Sequence, residues 1–443
     1  MTDPLVHVLV INWNGRQHLE ACFDSLLGAA YPNVRFVLID NASADDSISF
    51  VRNRYGGDAR VDIVSCPENL GWSRGNNVGI ERAMKAGADY VFLLNNDTAT
   101  APGAIAKLVE AAQKRPEAGA LAPKMVLFDH PDIINSVGIE CSIIGSSWDL
   151  GLGRLDGPRW NEPRKVLGVC GGAAFYRVEA LRKAGLLPAD FDIYLDDLDL
   201  CLRIWNAGYE VWSCPEAVVR HKFSATMGAG KSYRRKYYLC TRNRARLILR
   251  NFPAAKFPLV KAAYALGDVR AVGRALLDLE PWRALAHVRS WGAAACYLPQ
   301  AVAERIRRHR SGLSTCRFWP LIRTSPLFFP GVDLPEDGWY PARQFRGMRV
   351  RPMARRAYCD IDAGALRLTH VNCYPHAGEA CVEVCLNAKP VTVLKTRGVG
   401  EEVLDLPAGR LEFTANHIFD AEDTGEKIDI GGWIGIEPAR TQM

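Results

Sequence analysis

Two stretches of this sequence contain the residue types that hold metal-bound phosphate groups and move protons. The first is Leu93-Leu94-Asn95-Asn96-Asp97, an apolar run that ends on a carboxylate. The second runs from Asp196 to Asp199 and contains three carboxylates. Oxygen ligands of this kind suit Mg²⁺ and Mn²⁺, and clustered carboxylates raise one another's pKa, which suits a base. The sequence therefore suggests a metal, a phosphate and a proton acceptor.

Three apolar strand patterns must position these residues, and they end in Asn12, Asp40 and Asn95. Helical stretches alternate with them, at residues 16–28, 45–54 and 75–86. This alternation predicts an α/β fold with a parallel sheet and crossover helices. Ligands of such sheets bind at the carboxyl ends of the strands, where the strand order reverses. We therefore expect the three polar residues at one edge of the sheet.

These motifs, taken in order, resemble family 2 inverting glycosyltransferases of the GT-A fold, and in particular their rhamnosyltransferase-like branch. The motifs are Asn12-Trp13-Asn14-Gly15, Asp40-Asn41-Ala42-Ser43, the segment 69–77 and Asn95-Asn96-Asp97. The resemblance covers about residues 5–250. It implies the Rossmann-like mixed sheet of GT-A nucleotide-diphospho-sugar transferases and the transfer of a sugar from a nucleotide diphosphate.

The resemblance assigns the donor nucleotide to the first loops. Asp40 has the place of the family residue that hydrogen-bonds the nucleobase, and Asn12 and Asn14 line the same loop. Helix capping is the alternative, although it explains Ser43 better than Asp40. The glycine-rich segment 69–79 favours an anion at a helix start or is a plain turn. The predicted donor-side residues are Asn12, Asn14, Asp40, Asn76, Asn95, Asn96 and Arg242.

The segment Asn95-Asn96-Asp97 stands where this family carries its Asp-x-Asp motif, with Asn95 in place of the first acid. Asp97 keeps a carboxylate for Mg²⁺ or Mn²⁺. The lost negative charge should weaken metal affinity, so metal dependence stays open. His221 occupies the place of a metal- or phosphate-facing histidine in family members, and a structural role is its alternative. The predicted metal ligands are Asp97 and His221.

The segment from Asp196 to Asp199 resembles the family's Glu-Asp-x-Asp motif, whose second acid is the base. This assigns the base to Asp197, with Asp196 in place of the Glu. Acids also favour a helix N-terminus, which would account for Asp196 alone. Gly171-Gly172 matches the family's tight loop beside the acceptor cleft. The predicted acceptor side therefore consists of Gly171, Gly172, Asp196 and Asp199 around Asp197.

The length of 443 residues predicts two or three domains. We expect a catalytic domain over residues 1–250 and a basic helical connector over 251–325. Alternating apolar and polar residues with regular turn signals predict a β-sandwich over 326–443. Aromatic residues of this last region suit a sugar platform, but core packing is the preferred interpretation. They are Trp339, Tyr340, Trp433 and His417.

Composition narrows the class of protein. A net charge of +6 argues against a nucleic-acid-binding protein. Thirteen cysteines without a CxxC pair fit reduced thiols in the cytoplasm. The clearest buried candidates are Cys22, Cys170, Cys201 and Cys240. The first residues lack a basic and apolar leader, and no apolar run reaches the ~18 residues of a membrane span, so we expect neither secretion nor a transmembrane helix.

No acidic residue occurs between Glu216 and Asp268, whereas twelve basic residues do. These are Arg220, Lys222, Lys231, Arg234, Arg235, Lys236, Arg242, Arg244, Arg246, Arg250, Lys256 and Lys261. Such asymmetry predicts an anionic partner, either the donor diphosphate or anionic lipid beside a polyprenyl-linked acceptor. A solvated basic face is the alternative. The nearby aromatic side chains would anchor at a membrane interface or belong to the core: Trp282, Trp291, Phe318 and Trp319.

The leading hypothesis is an inverting glycosyltransferase of bacterial cell-surface polysaccharide biosynthesis. L-rhamnose from dTDP-L-rhamnose is the preferred donor sugar, and a glycan or a lipid-linked molecule is the acceptor. A UDP-hexose donor stays open, because sugar choice depends on pocket shape. We expect a cytoplasmic protein, peripheral on the inner face of the plasma membrane, and a homodimer stays open.

A second hypothesis is a catalytically inactive glycan-binding or scaffold protein. Asn95 supports it, whereas the carboxylates of Asp97, Asp197 and Asp199 argue against it. A nucleotidyltransferase is a third, less favoured hypothesis, because it would need a glycine-rich basic signature soon after the first strand.

Overall fold

The computed structural model of the chain describes residues 3–154, 156–222, 231–313, 316–324, 343–345, 348–353, 356–361, 364–371, 380–396, 399–415 and 432–438. Trp339, Tyr340 and His417 lie outside these residues, as does the side chain of Trp433. The chain divides into two compact units. One comprises Met1–Leu152 and Gly157–Pro330, and the other comprises Gly153–Asp156 and Gly331–Met443.

The first unit is mixed α/β. Its strands are β1 (Val6–Asn12), β2 (Val34–Asp40), β3 (Val61–Ser65), β4 (Tyr90–Asn95), β5 (Thr98–Thr100), β6 (Ala118–Leu127), β7 (Ile134–Ser136), β8 (Ile139–Cys141), β9 (Ser147–Asp149), β10 (Ala173–Arg177) and β11 (Glu210–His221). Its helices are α1 (Arg16–Leu27), α2 (Ser47–Tyr55), α3 (Gly71–Lys85), α4 (Ala104–Lys114), α5 (Val178–Ala184), α6 (Asp196–Asn206), α7 (Lys231–Asn251), α8 (Phe257–Leu277) and α9 (Pro281–Arg310).

The main sheet has the strand order β3-β2-β1-β4-β10-β6-β11-β5, with β7 paired to β6. Strands β1 to β4 pair in parallel, whereas β10 is antiparallel to both of its neighbours. The predicted α/β class with the mixed sheet of the GT-A fold is confirmed. Asn12 pairs in register with Asp40, and Ile11 pairs with Asn95. The three polar residues therefore lie at one edge, as their strand patterns predicted.

The apolar core lies on both faces of this sheet, because successive residues of a strand point to opposite faces. Val8 and Val10 of β1 belong to one apolar cluster with Phe23 of α1. Leu9, between them, belongs to another cluster with Ile80 of α3. All five side chains are buried. Helices on both faces therefore fix the strands whose ends carry the polar residues.

The helices α7, α8 and α9 follow the sheet within the same compact unit. Helix α9 packs against both α7 and α8. Phe318 is fully buried and lies 6.1 Å from Phe252 between ring centroids, so it belongs to the core. The predicted helical connector is present, and its boundary near residue 250 stays a prediction.

The second unit consists of β-strands in its described part. They are β12 (Arg343–Phe345), β13 (Met348–Met353), β14 (Arg356–Ile361), β15 (Gly364–Val371), β16 (Ala380–Leu386), β17 (Lys389–Thr396), β18 (Val399–Leu406), β19 (Gly409–Ala415) and β20 (Gly432–Pro438). They form two sheets, β12-β13-β20-β15-β18 and β14-β19-β16-β17. Leu366 and Leu368 of the first sheet share an apolar cluster with Val384 and Phe413 of the second. This confirms the predicted β-sandwich.

Cys22, Cys170, Cys201 and Cys240 form no disulfide, and Cys22 and Cys201 are buried. Burial raises the pKa of both buried thiols to about 12, which keeps them protonated and unreactive. Within the described parts of the chain, no helix is apolar over enough residues to cross a bilayer.

Candidate active site

Side-chain amides connect the carboxyl ends of three neighbouring strands. Nδ2 of Asn12 donates to Oδ1 of Asp40 over 3.1 Å, and Nδ2 of Asn96 donates to Oδ1 of Asn12 over 2.6 Å. Gly15 makes room for this contact, because a Cβ atom there would lie 1.9 Å from Nδ2 of Asn96. The structure therefore brings three of the predicted donor-side residues together.

Asp40 also organises the loop that follows β2. Its side chain is almost fully buried, and its Oδ2 accepts a hydrogen bond of 3.0 Å from the amide of Ser43. Oγ of Ser43 accepts from the amide of Asn14 over 2.9 Å, and Oδ1 of Asn14 accepts from the amide of Ala44 over 2.7 Å. The local structural role that the sequence left open for Asp40 is thus present, and its contact with a nucleobase stays a prediction.

Trp72 of α3 connects the end of β4 to the glycine loop. Its Nε1 donates to Oδ1 of Asn95 over 3.1 Å. Its ring lies beside Gly171, where a Cβ atom would come within 2.8 Å of it. The amide of Asn95 donates to the carbonyl of Gly172 over 3.0 Å. No role was predicted for Trp72; the available signal was an indole N–H within a segment of polar and glycine residues.

Asp197 lies in the first turn of α6. Its Oδ2 accepts a hydrogen bond of 2.9 Å from the amide of Gly171, and its Oδ1 accepts one of 2.7 Å from the amide of Leu198. Burial raises the pKa of Asp197 although both bonds favour the charged form. A carboxylate with raised proton affinity is suited to accept a proton during a reaction.

Asp196 is buried beside Asp197 and accepts a hydrogen bond from Oγ of Ser73 in α3. Burial raises the pKa of Asp196, and the negative charge of Asp197 raises it further. The bond to Ser73 fixes the start of α6 against α3. Asp196 therefore supports the position of its neighbour and shares its proton equilibrium.

The turn before α6 has an uncommon backbone. Asp192, Tyr194 and Leu195 have φ angles of 71°, 71° and 61°, a left-handed conformation that destabilises residues other than glycine. Nδ2 of Asn243, a fully buried residue of α7, lies 2.9 to 3.0 Å from three carbonyl oxygens of residues 191–194. Asn243 therefore holds the turn that carries Asp197, a role that sequence spacing did not reveal.

Arg242 contacts this same turn. Its Nη2 donates to the carbonyl of Phe191 over 2.7 Å, and its Nε donates to Oδ1 of Asn243 over 2.9 Å. Within the described residues, its hydrogen-bond partners thus lie in the turn and in α7, whereas a donor contact was predicted. The geometry gives Arg242 a positioning role beside Asn243.

Asp97 and His221, the predicted metal ligands, lie together with 3.4 Å between Oδ1 and Nε2. Nδ1 of His221 lies 2.6 Å from Oδ1 of Asn135. In the tautomer that donates from Nδ1 to this amide oxygen, Nε2 faces Asp97 as an acceptor. Oδ1 of Asp97 is buried and accepts no hydrogen bond from the described residues. This oxygen and this nitrogen match the needs of a divalent cation.

Two protein ligands do not complete a metal shell. Among the described residues, no three His, Cys, Asp or Glu side chains form a group that could hold a metal ion. Mg²⁺ prefers about six oxygen-rich ligands and is commonly shared with substrate phosphates. Asp97 and His221 therefore fit a cation whose remaining ligands come from a bound diphosphate. They do not fit a site in which the described protein residues supply all the ligands.

The Gly171-Gly172 dipeptide lies between the two halves of the site. Gly171 contacts Asp197 through its amide. A Cβ atom at Gly172 would lie 3.2 Å from Cε1 of His221 and 2.8 Å from Cε of Met125. Carboxylate and imidazole therefore approach one dipeptide from two sides, which larger residues would prevent.

Asn76 is fully buried and does not line this site. Helix α3 begins at Gly71, before the predicted start, so Asn76 lies inside the helix and not at its anion-favouring end. Its Nδ2 donates to the carbonyl of Trp72 over 3.0 Å. The structure contradicts a direct donor contact by Asn76.

Asp199 is fully buried in an ion-pair network, which corrects its assignment to the acceptor side. It accepts hydrogen bonds from Arg203 (2.9 Å), Arg250 (3.1 Å) and Asn251 (2.7 Å). Burial opposes its ionisation, but the charges of Arg250 and Arg203 outweigh burial and lower the pKa of Asp199. Arg250 also pairs with Glu304 of α9 at 2.6 Å. Asp199 therefore links α6 to α7 and, through Arg250, to α9.

The acid-free segment between Glu216 and Asp268 is not an unpaired basic surface. Several of its arginines form ion pairs with acids from outside the segment: Arg235 with Asp192, Arg244 with Asp268, Arg246 with Asp190, and Arg250 with Asp190, Asp199 and Glu304. The separation of charge seen along the sequence therefore does not persist in space. This weakens the prediction that the segment itself faces lipid.

The chain is similar to a family of known proteins over part of its length. A family model described as Glycosyl transferase family 2 matches residues 7–185. This range contains Asp40, Asp97 and Gly171 and ends before Asp197 and His221. The match therefore covers the donor-side loops, Asp97 and the glycine loop, and it reaches neither Asp197 nor His221.

Three known proteins illustrate the similarity. An N-acetylglucosaminyl-diphospho-decaprenol L-rhamnosyltransferase of Mycobacterium tuberculosis is 30% identical over 250 residues, which cover 51% of this chain and 78% of that protein. An N-acetylglucosaminyltransferase of Rhizobium sp. (strain N33) is 27% identical over 239 residues, which cover 48% of each chain. The crystal structure of GalNAc-T7 with UDP, GalNAc and Mn2+ matches with a TM-score of 0.48 and 15% identity, over 64% of this chain and 54% of that chain.

Proposed function

Because this chain belongs to glycosyl transferase family 2 and is a glycosyltransferase, we propose that it transfers one sugar from a nucleotide diphosphate to an acceptor hydroxyl with inversion at the anomeric carbon. The observation that carries this proposal is the placement of Asp197. It is bonded to the amide of Gly171, while His221 lies beside Gly172 and Asp97 lies beside His221. A base on one side and a diphosphate holder on the other are what a single displacement requires.

In this proposal, ionised Asp197 accepts the proton of the acceptor hydroxyl. The hydroxyl oxygen forms a bond to the anomeric carbon, and the bond from that carbon to the diphosphate oxygen breaks. The nucleoside diphosphate leaves with the electron pair of that bond. Attack opposite the leaving group inverts the configuration, and no covalent sugar–protein bond forms. The amide of Gly171 keeps Oδ2 in a fixed position, which limits the orientations that the acceptor must find.

Asp97 and His221 are the residues that would hold Mg²⁺ or Mn²⁺. When bound, such a cation stabilises the negative charge that develops on the leaving diphosphate. Donation from Nδ1 of His221 to Asn135 would keep the imidazole in the tautomer that a metal ligand needs. Asn95 is neutral and bonded to Trp72, so we expect a weaker metal site than an acid at that position would give.

For the donor we propose dTDP-L-rhamnose. Its support is the relative from Mycobacterium tuberculosis whose name states an L-rhamnosyltransferase. The relative from Rhizobium is named an N-acetylglucosaminyltransferase, which keeps a UDP-hexose as the alternative. We propose that the linked amides of Asn12, Asn14 and Asn96, together with Asp40, support the nucleoside, and that Asn95 lies near the diphosphate.

For the acceptor we propose a glycan or a polyprenyl-diphosphate-linked sugar in bacterial cell-surface polysaccharide synthesis. The first relative's name contains a diphospho-decaprenol acceptor. Such an acceptor is anchored in a bilayer, so we propose that the enzyme works in the cytoplasm at the inner membrane surface. Its donor and acceptor loops would then face the anchored sugar.

A calorimetric screen against UDP, dTDP, GDP and CMP, each with and without Mn²⁺, tests donor class and metal use together. We expect selective dTDP binding that Mn²⁺ strengthens. Preference for UDP would replace the rhamnose proposal with the hexose one. Binding of no nucleotide would overturn the donor proposal and promote the glycan-binding hypothesis.

Substitution of Asp197 by Asn separates catalysis from binding. We expect transfer to fall by about 10²–10⁴-fold, the usual contribution of a general base, with nucleotide affinity unchanged. Asp62→Asn, on the partly exposed strand β3, is the matched control and should retain activity. Retained turnover in Asp197→Asn would exclude it as the base.

A further inference from the structure

Among the described residues, the exposed apolar side chains are concentrated on one pair of helices and the turn that joins them. Sixteen large apolar side chains of the described residues are exposed, and twelve of them lie between Leu259 and Ile306. The most exposed are Leu279 (87%), Leu277 (81%) and Val269 (66%). Single exposed apolar residues are ordinary on protein surfaces, but a contiguous set marks an interaction site.

On α8 the exposed set recurs at helical spacing. Leu259, Leu266, Val269 and Leu276 are each at least half exposed, and they follow one another at intervals of seven, three and seven residues. Val260, Gly267, Asp268 and Ala275 are buried on the other side of the helix. The outward face of α8 is therefore apolar along the length of the helix, the reverse of an ordinary surface helix.

Helix α9 repeats this pattern. Its exposed apolar residues include Leu285, Val288, Val302 and Ile306, which again lie at spacings of three, four or multiples of seven. Asp268 of α8 contacts His287 and Trp291, and Phe257 contacts Arg305. These contacts make the two helices antiparallel neighbours. We call their outward side chains, Leu259 to Leu276 of α8 and Leu285 to Ile306 of α9, the α8–α9 apolar face.

The charges around this face are predominantly positive. Residues 257–310 contain nine Lys or Arg and four acids. Each acid has a basic partner: Asp268 with Arg244, Asp278 with Arg274, Glu280 with Arg283, and Glu304 with Arg250. Lys261 and Arg270 are exposed, and within the described residues neither lies in an ion pair. The excess positive charge therefore remains at the surface beside the apolar face.

A second copy of the chain is a poor match for this face. A two-fold contact would bring the same basic side chains together, and like charges across an interface are repulsive. Gly273 and Gly292 lie within the apolar rows, and Pro299 lies inside α9. Missing side chains and a proline disturb the regular interlocking that paired helices need.

We propose that the α8–α9 apolar face docks on an anionic lipid bilayer, with the aliphatic side chains at the boundary of the acyl chains and the basic ones on the head groups. Long Lys and Arg side chains reach head groups while their neighbours enter the apolar layer. The proposed function supplies the reason for membrane docking, since a lipid-linked acceptor lies at a membrane, and in this respect the inference rests on it. The exposed side chains and charges that support the inference belong to α8 and α9 and not to the catalytic residues.

Flotation of the full-length protein with phosphatidylcholine vesicles, with and without phosphatidylglycerol, tests this proposal. We expect binding to vesicles that contain the anionic lipid, decreasing as salt rises. Val269→Glu, alone and with Leu266→Glu, should weaken vesicle binding by at least about tenfold, because it replaces apolar burial by a buried charge. Val403→Glu, at an exposed position of β18, is the matched control and should bind like the parent protein.

A charge pair gives a second variant that leaves the apolar side chains intact. Lys261→Gln with Arg270→Gln should weaken anionic vesicle binding and reduce its salt dependence. Arg52→Gln with Lys85→Gln, which removes the same charge from exposed positions of α2 and α3, should change binding much less.

Two results would overturn the proposal: no binding to anionic vesicles, or equal binding by Val269→Glu and the parent protein. A dimer in ultracentrifugation that Val269→Glu dissociates, without vesicle binding, would assign the face to a second copy. Nucleotide calorimetry on the same variants keeps the proposals distinct. Vesicle binding without nucleotide binding would contradict the proposed donor and support the membrane-docking surface. Nucleotide binding without vesicle binding would support the donor and contradict the surface.

Discussion

The amide of Gly171 donates a hydrogen bond of 2.9 Å to Oδ2 of Asp197, so the glycine loop and the proposed base move as one unit. The donor belongs to the main chain, and a side chain at position 171 would meet the ring of Trp72 at 2.8 Å. Glycine is therefore needed at position 171 for the main-chain amide to come close to Asp197, and this hydrogen bond fixes the carboxylate. The protonation of that carboxylate then decides the activity.

Transfer should fall on the acid side at a pH above the ordinary carboxyl range of about 4. Burial raises the pKa of Asp197, and a base acts only when ionised, so activity is lost as pH decreases through the raised value. The pH dependence of kcat/KM measures this directly. Asp196→Asn should simplify the acid limb to one ionisation, because the two carboxyls titrate together. A limb at pH 4 or below would contradict this account.

Replacement of Asn135 by Ala should weaken nucleotide-dependent Mn²⁺ binding by about 10–100-fold, the usual effect of losing the partner of a ligating histidine. His221→Ala should weaken it at least as much, since it removes the ligand itself. Electron paramagnetic resonance titration of Mn²⁺ in the presence of dTDP or UDP reports the affinity without turnover. His309→Ala, at an exposed position near the end of α9, is the control. Unchanged affinity in both site variants would remove the metal assignment.

Asn243→Ala should lower kcat by about 10–100-fold while nucleotide affinity is kept, because a displacement of about 1 Å at a base is enough for such a loss. The turn that Asn243 holds contains left-handed residues. Adding Leu195→Gly should restore part of the activity, since glycine adopts that conformation without strain. A purely structural role would instead lower stability without this rescue, which thermal unfolding of both variants would reveal.

Asp199→Asn should reduce the free energy of unfolding by about 3 kcal/mol or more, because it leaves the buried Arg203 without its acid and removes one of the acids that pair with Arg250. Glu110→Gln, which removes an exposed pair with Lys114, should change it by at most about 1 kcal/mol. Denaturant unfolding compares them. The lowered pKa of Asp199 means that its contribution is present above the pKa of the unfolded chain and is lost as pH falls through the folded value. An equal loss of unfolding free energy in both variants would contradict a stabilising role of the ion-pair network around Asp199.

Local patterns predicted much of this architecture. Apolar strands that end in Asn12, Asp40 and Asn95 were enough to place those residues at one edge, because parallel strands align their ends. The acidic start of α6 was predicted in the same way. These predictions succeeded where the deciding interaction lies within a strand, within a helix or between adjacent strands.

Contacts between distant segments could not be predicted from spacing. Asn243 holds a turn about fifty residues earlier in the chain, and Asp199 looks like a member of an acidic motif until Arg250 is placed beside it. The arginines between Glu216 and Asp268 looked unpaired because their partners lie elsewhere along the chain. Each error came from reading one segment without the segment that folds against it.

Arg250 also bears on how the chain can be divided for study. It forms ion pairs with Asp190, with Asp199 in α6 and with Glu304 in α9, so a fragment that ends at residue 250 would lack one of its three counterions. Such a fragment would also expose Phe252's neighbours and the inner side of α7. The shortest fragment expected to fold with its active site intact must therefore extend through α9, well beyond the residues that the family model matches.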